Sequence, residues 1–156
     1  VTDFLTGLGN RRNLIKFVRL KIHRLRNGDK FAGFMLDINN FKKINDKYGH
    51  SFGDQVLIDV ANVLIQTTQK NDYVARFGGD EFVLIIDLNT EEEIEEYKKV
   101  IRQACEKYNA SEKNTHVIDF SIGSALFSKA EGMTPSRFLE IIDDRMYIDK
   151  QSTKAI

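Results

Sequence analysis

Arg76-Phe77-Gly78-Gly79-Asp80-Glu81-Phe82 sets two glycines and two adjacent carboxylates between apolar runs, Tyr73 to Phe77 before and Phe82 to Leu88 after. The pattern reads as a tight β-hairpin with the acids at its tip. Gly78 and Gly79 can take positive φ and let a ligand approach the backbone where no Cβ stands in the way. Asp80 and Glu81 then place hard oxygen ligands beside that opening. Such oxygens suit Mg²⁺, which is usually held by one or two carboxylates plus substrate phosphates rather than by an all-protein cage. Taken alone, these residues also fit a Gly-Gly turn followed by solvated acids, and the rest of the chain decides between the two.

A further acid ends another apolar run, Phe31-Ala32-Gly33-Phe34-Met35-Leu36-Asp37, which reads as a buried strand. If that strand lies beside the hairpin, Asp37 and Asp80 can share a metal. Two carboxylates at close range repel and raise one pKa, so a bound cation relieves an electrostatic cost. The following stretch, 38–54, is too polar for a core strand and reads as a short helix, a turn and a helix start. Lys42 offers a point charge for phosphate. Asn45 and Asp54 offer an amide and a carboxylate for a purine edge, and a carboxylate is the natural acceptor for guanine's N1–H and exocyclic amine. Each of these residues, taken singly, is equally at home as a surface or capping group.

At these residues the chain resembles the GGDEF domain, the diguanylate cyclase family that condenses two GTP into cyclic di-GMP. The opening Asp3-Phe4-Leu5-Thr6-Gly7-Leu8-Gly9-Asn10-Arg11-Arg12 is similar to the family's D-x-L-T-G-L-x-N-R start, where the domain joins its regulatory partner. With the 38–54 segment and Gly78 to Phe82, three separated motifs occur in the family's order, covering the chain from about Thr2 to Lys154. The resemblance implies metal ligands at Asp37, the Ile38 carbonyl and Asp80, with Mg²⁺ or Mn²⁺ as cofactor. It makes Asp80 the proposed proton acceptor for the attacking ribose 3′-OH and leaves a hydroxide held by the metal as the other taker. Glu81 is a second catalytic candidate. Asn45, His50 and Asp54 fall where the family contacts the nucleotide, and Lys42, Lys150 and Lys154 where it grips the triphosphate. Gly78 and Gly79 complete the substrate-binding set.

Two departures from the family pattern stand out. Many members end in A-K-x-x-G-R, whereas this chain has Asp149-Lys150-Gln151-Ser152-Thr153-Lys154, so lysine replaces an arginine fork. Product-inhibited members carry R-x-x-D five residues before the signature; here the four residues are Gln69-Lys70-Asn71-Asp72. Gln69 has no charge to pair with phosphate, so product inhibition through this degenerate site is expected to be weak or absent.

The 156 residues, 42% of them hydrophobic and 29% charged, suffice for one well-filled core, read as a single domain over 1–156. A formal net charge of zero argues against a broad electrostatic grip on nucleic acid or anionic lipid. Cys105 is the one cysteine, which leaves no internal disulfide and fits a reducing cytoplasm. No apolar run reaches membrane-spanning length. The resemblance implies an upstream sensory or regulatory domain, and a homodimer in which two GTP-loaded copies meet. A catalytically silent GTP-binding domain and a protein-interaction module are the competing readings; an intact signature speaks against the first.

The apolar periods supply the scaffold. Leu14, Ile15, Val18, Ile22 and Leu25 share one helical face, and Phe52, Val56, Leu57, Val60, Ala61 and Leu64 another. Phe82 to Ile86 is apolar throughout and so needs cover on both faces. Thr90 with Glu93 forms a capping box for a helix turning Ile94, Tyr97, Ile101, Ala104 and Tyr108 inward. Ile118, Phe120 and Ile122 alternate as a strand, and Thr134-Pro135 starts the last helix. The fold expected is α+β, a central, mainly antiparallel sheet flanked by helices, similar to the palm of nucleotide cyclases and polymerases.

Overall fold

A strand that is apolar at every position must be covered on both faces, and the computed structural model places β1 (Lys30–Ile38) so, buried from Phe31 to Ile38. The structure describes residues 2–111 and 116–154, with side chains as far as Ser152. Around β1 lie α1 (Arg11–Arg24), α2 (Phe41–Tyr48), α3 (His50–Thr67), β2 (Tyr73–Arg76), β3 (Glu81–Ile86), α4 (Glu91–Asn109), β4 (Phe120–Ser128) and α5 (Pro135–Lys154). The sheet order is β2-β3-β1-β4, and each neighbouring pair is antiparallel. This is the α+β architecture expected.

Alternate side chains of the sheet feed two cores. Phe34, Leu36, Phe82 and Leu84 pack with Val56, Val60 and Leu64 of α3 and with Ile94 and Ile101 of α4. Phe31, Met35, Val83 and Ile85 pack on the other face with Leu14 and Val18 of α1 and Phe138, Ile142 and Met146 of α5. Each fully buried side chain of this size contributes about 1.5–3 kcal/mol through the area it removes from water.

The helix starts follow local chemistry. Asn10 Oδ1 accepts from the Asn13 amide at 2.9 Å, and Thr90 Oγ1 from the Glu93 amide at 3.1 Å. Glu93 Oε1 reaches back to the amide of Asn89, one residue earlier than an ideal capping box places it. Cys105 is buried on α4, and burial pushes its thiol up to about 12. Among the described residues, no helix is long and apolar enough to cross a membrane.

Two local details go beyond the sequence reading. Neither Gly78 nor Gly79 uses positive φ. A Cβ on Gly78 would stand 2.5 Å from Glu81 Oε1, the movable end of a side chain, and nothing lies within 4 Å of the Cβ position at Gly79. The strand whose pattern was read at Ile118 to Gly123 is β4, which starts at Phe120 and continues to Ser128, pairing with β1 from Lys30↔Ser128 to Ile38↔Phe120. Ser121 and Gly123 are buried under α5 rather than facing water, because α5 covers the face that the alternation left polar.

Candidate active site

Antiparallel register brings the acids together. Asp37, the penultimate residue of β1, lies opposite Glu81 of β3 and Ser121 of β4, and the Ile38 amide donates to the Asp80 carbonyl at 3.2 Å. Asp80 is therefore held at the hairpin tip beside the end of β1. Asp37 is only 4% exposed, an unusual burial for a carboxylate. Its Oδ2 accepts from Lys150 Nζ of α5 at 2.8 Å. Its Oδ1 is buried with no hydrogen-bond donor in reach.

The electrostatics show a site short of positive charge. Burial, then the adjoining Asp37 carboxylate, pushes Asp80 up to about 6, and Lys150 only partly offsets this. Glu81 is also raised, first by burial and then by Asp143, Asp37 and Asp80. Lys150 is raised by its bond to Asp37, which favours the ammonium. Lys150 thus faces three acids, Asp37, Asp80 and Glu81, while Arg11 offsets part of the charge at Asp143. A proton on Asp80 relieves part of the repulsion, and a divalent cation would relieve more.

A hard divalent metal fits these residues. Asp37 Oδ1 has no hydrogen-bond partner and could serve as a ligand, and Asp80 could add a second carboxylate. Among the described residues no three His, Cys, Asp or Glu side chains form a metal cage. The donor set therefore suits a cation that completes its shell with backbone and substrate oxygens.

The presumptive nucleotide positions lie on the helical pair that follows β1. Gly49, at φ 91°, reverses the chain between α2 and α3. Gly53 lacks a Cβ where the Asn45 side chain lies, so Asn45 is pressed against the turn that carries exposed Asp54. Lys42 and His50 are exposed, on α2 and at the first position of α3. The Lys154 side chain lies outside the described residues. Farther off, Asp72 Oδ2 accepts from the Gln69 amide at 2.8 Å, so the remaining acid of the degenerate inhibitory motif is tied into its own turn.

Two residues of the site region escaped the sequence reading. Asp143 of α5 faces Glu81; it stands seven residues, two helical turns, before Lys150, a spacing that places both on one face. Arg76 was quoted in the signature without a role, yet it binds the Gly78 and Gly79 carbonyls. A cavity of about 830 Å³ between α3 and α4 is lined by Val56, Val63 and Tyr108, among others, and by none of the acids described above.

This architecture and acid cluster have relatives. The family profile described as "Diguanylate cyclase, GGDEF domain" matches residues 1–155, and the chain belongs to that family. It is 34% identical over 152 residues to diguanylate cyclase DosC of Escherichia coli strain K12, covering 96% of this chain and 33% of DosC. Among solved structures it resembles diguanylate cyclase SiaD of Pseudomonas aeruginosa, in complex with its activator SiaC, at a TM-score of 0.86 and 28% identity, covering 97% of this chain and 58% of that one. It also resembles the GGDEF domain of DgcB from Caulobacter crescentus in complex with c-di-GMP, at a TM-score of 0.81 and 28% identity, covering 97% and 90%. The chain spans about a third of the length of DosC.

Proposed function

We propose that this domain is a diguanylate cyclase that joins two molecules of GTP into cyclic di-GMP, with Mg²⁺ or Mn²⁺ held by Asp37, the Ile38 carbonyl and Asp80. The observation that carries the reading is buried Asp37 beside half-buried Asp80, with one carboxylate oxygen of Asp37 lacking a hydrogen-bond partner and Lys150 as the counter-charge. Bound metal would supply positive charge for the triphosphate and the leaving pyrophosphate.

The chain's own residues do the rest. Asn45 and Asp54 hold the guanine edge, Asp54 by accepting from N1–H and the exocyclic amine. His50 lies beside them on the first turn of α3. Lys42 and Lys150 supply charge for the triphosphate, Lys154 is the third basic residue that the resemblance assigns to it, and Gly78 and Gly79 let it approach the hairpin. Each 3′-oxygen forms a bond to the α-phosphorus of the opposite GTP while the bond to the β-phosphate bridge breaks, releasing pyrophosphate. The 3′-OH proton passes to the Asp80 carboxylate, and Glu81 orients the hydroxyl. Two such transfers close the ring and release two pyrophosphates. One site per domain then requires two domains face to face, so a homodimer is the working unit, and proximity within it replaces a bimolecular encounter. A regulatory domain joined upstream would set that pairing. With Gln69 in place of the phosphate-pairing arginine, added cyclic di-GMP inhibits weakly or not at all.

The test is incubation of the concentrated protein with GTP and Mg²⁺, with products resolved by chromatography and Asp80→Ala alongside. Cyclic di-GMP and pyrophosphate from the wild type alone support the cyclase. GTP binding without turnover, even at high protein concentration, refutes it in favour of a silent GTP-binding domain.

A further inference from the structure

Arg76 is the last residue of β2, and it makes contacts in two directions. Toward the signature hairpin, Nε donates to the Gly78 and Gly79 carbonyls at 3.2 Å each, and Nη2 donates to Gly79 at 2.7 Å. Toward the N-terminal segment, Nη1 bridges both oxygens of Asp3 at 3.2 and 3.3 Å. Its own amide donates to the Gly9 carbonyl at 2.9 Å. Asp3 in turn is fixed by the amide and hydroxyl of Thr6, at 2.8 and 2.7 Å. Burial alone would raise the Asp3 carboxyl, yet these bonds and the Arg76 charge hold it below the usual range. The segment from Thr2 to Gly9 is thus a folded turn whose one charged side-chain anchor reaches the loop that carries Asp80.

The geometry points to Arg76 as a positioning residue that couples the conformation of the Asp3 turn to the placement of Asp80. A planar guanidinium can serve both partners at once because its donors lie in a fixed fork. If the Asp3 turn unwinds, Arg76 is free to follow it, and the Gly78 and Gly79 carbonyls lose the donors that hold them. The hairpin tip would then loosen at Asp80 while the guanine positions on α2 and α3, which Arg76 does not touch, stay in place. A staple that serves stability alone would affect the whole sheet equally. The hairpin half of this inference stands on geometry; its catalytic half rests on the cyclase reading.

Amide hydrogen exchange separates the two cases. The amide of Phe77, which donates to the Glu81 carbonyl, and that of Ile38, which donates to Asp80, report on the hairpin; Phe34 and Leu84, paired in mid-sheet, report on global opening. Asp3→Asn leaves the carbonyl contacts but removes the ion pair, and Arg76→Lys keeps a charge but loses the fork. Each is expected to speed exchange at Phe77 and Ile38 about tenfold over the mid-sheet amides, equivalent to one charge-assisted hydrogen bond. The double variant should be no faster than the faster single one. In turnover, kcat should fall about tenfold while GTP affinity holds. Hairpin amides that change only in step with Phe34 and Leu84, or single effects that simply multiply in the double variant, would overturn the coupling. A wild type that forms no product, yet shows the exchange coupling, would overturn the cyclase and leave this inference standing.

Discussion

Replacing Gly123 by alanine puts a methyl group where α5 already stands. A Cβ on this β4 residue would lie 2.8 Å from the Arg145 carbonyl carbon and closer still to the Ile142 oxygen and the Met146 nitrogen. All three are backbone atoms, so no rotamer change makes room, and helix and strand must part by more than an ångström. Two bonds across that seam go with the shift: Arg145 Nη1 to the Ser124 carbonyl, and the Ile122 amide to Asp149 Oδ2, both 2.8 Å. Overpacking of this kind costs about 1–3 kcal/mol, and each strained charge-assisted bond adds about 1 kcal/mol, for a total of about 3–5 kcal/mol. At about 2–4 °C per kcal/mol for a domain of this size, Tm should fall by roughly 6–20 °C. Because α5 also carries Lys150, the 2.8 Å contact to Asp37 should loosen, and triphosphate affinity should drop with it. Circular dichroism melts and calorimetric titration with GTP and Mn²⁺ measure both effects. Gly79→Ala is the stability control, with nothing within 4 Å of its Cβ position. A Tm for Gly123→Ala within about 2 °C of wild type, with unaltered nucleotide affinity, would refute the argument that backbone contact between β4 and α5 sets the site.

Other perturbations address the acids directly. Lys150→Met leaves Asp37 a buried carboxylate without its counter-charge, so the metal-free protein should lose about 2 kcal/mol; added Mn²⁺ should then raise Tm more in the variant than in wild type, and an equal or smaller rise would contradict the shared role of lysine and cation. Asp80, raised to about 6 from 3.8, prefers its proton in the folded state. Its contribution is therefore complete below about pH 4 and is lost as pH rises through about 6, by about 1–2 kcal/mol after allowance for its partial exposure. Urea melts without metal should show the gap between wild type and Asp80→Asn changing over that window, and a constant gap would count against the acid pair. Asp54→Ser should relax the choice of base, read as the ratio of GTP to ATP affinity; an unchanged ratio would remove Asp54 from guanine recognition.

Much of this was legible in local sequence. The heptapeptide Arg76–Phe82 gave a hairpin because short-range apolar runs flank a Gly-Gly pair, and β3 is indeed buried on both faces. The helical faces of α1 and α3 followed from a 3.6-residue period that needs no tertiary information. The freedom of Gly78 and Gly79 to take positive φ is not used in the hairpin, and a Cβ on Gly78 would meet only the movable end of Glu81. The run of β4 beyond Gly123 was not legible because Ser121 and Gly123 are small or polar yet buried, and α5 lying over that face explains it; Ser124 is buried on the opposite face, paired with Phe34.

The sequence by itself determined which residue types carry chemistry and the elements on which they stand: Asp37 at a strand end, Asp80 and Glu81 on a hairpin, Asn45 and Asp54 on consecutive helices. Tertiary structure alone decided which of them meet. The pairing of Asp37 with Lys150 spans 113 residues, and that of Arg76 with Asp3 spans 73. Contacts at such separations are set by strand register and by how closely a helix docks on a sheet. A one-residue slip in β1 would turn Asp37 to the opposite face without altering any local propensity. The same long-range packing leaves Asp37 Oδ1 buried without a donor, the feature from which a metal-dependent nucleotidyl transfer was argued.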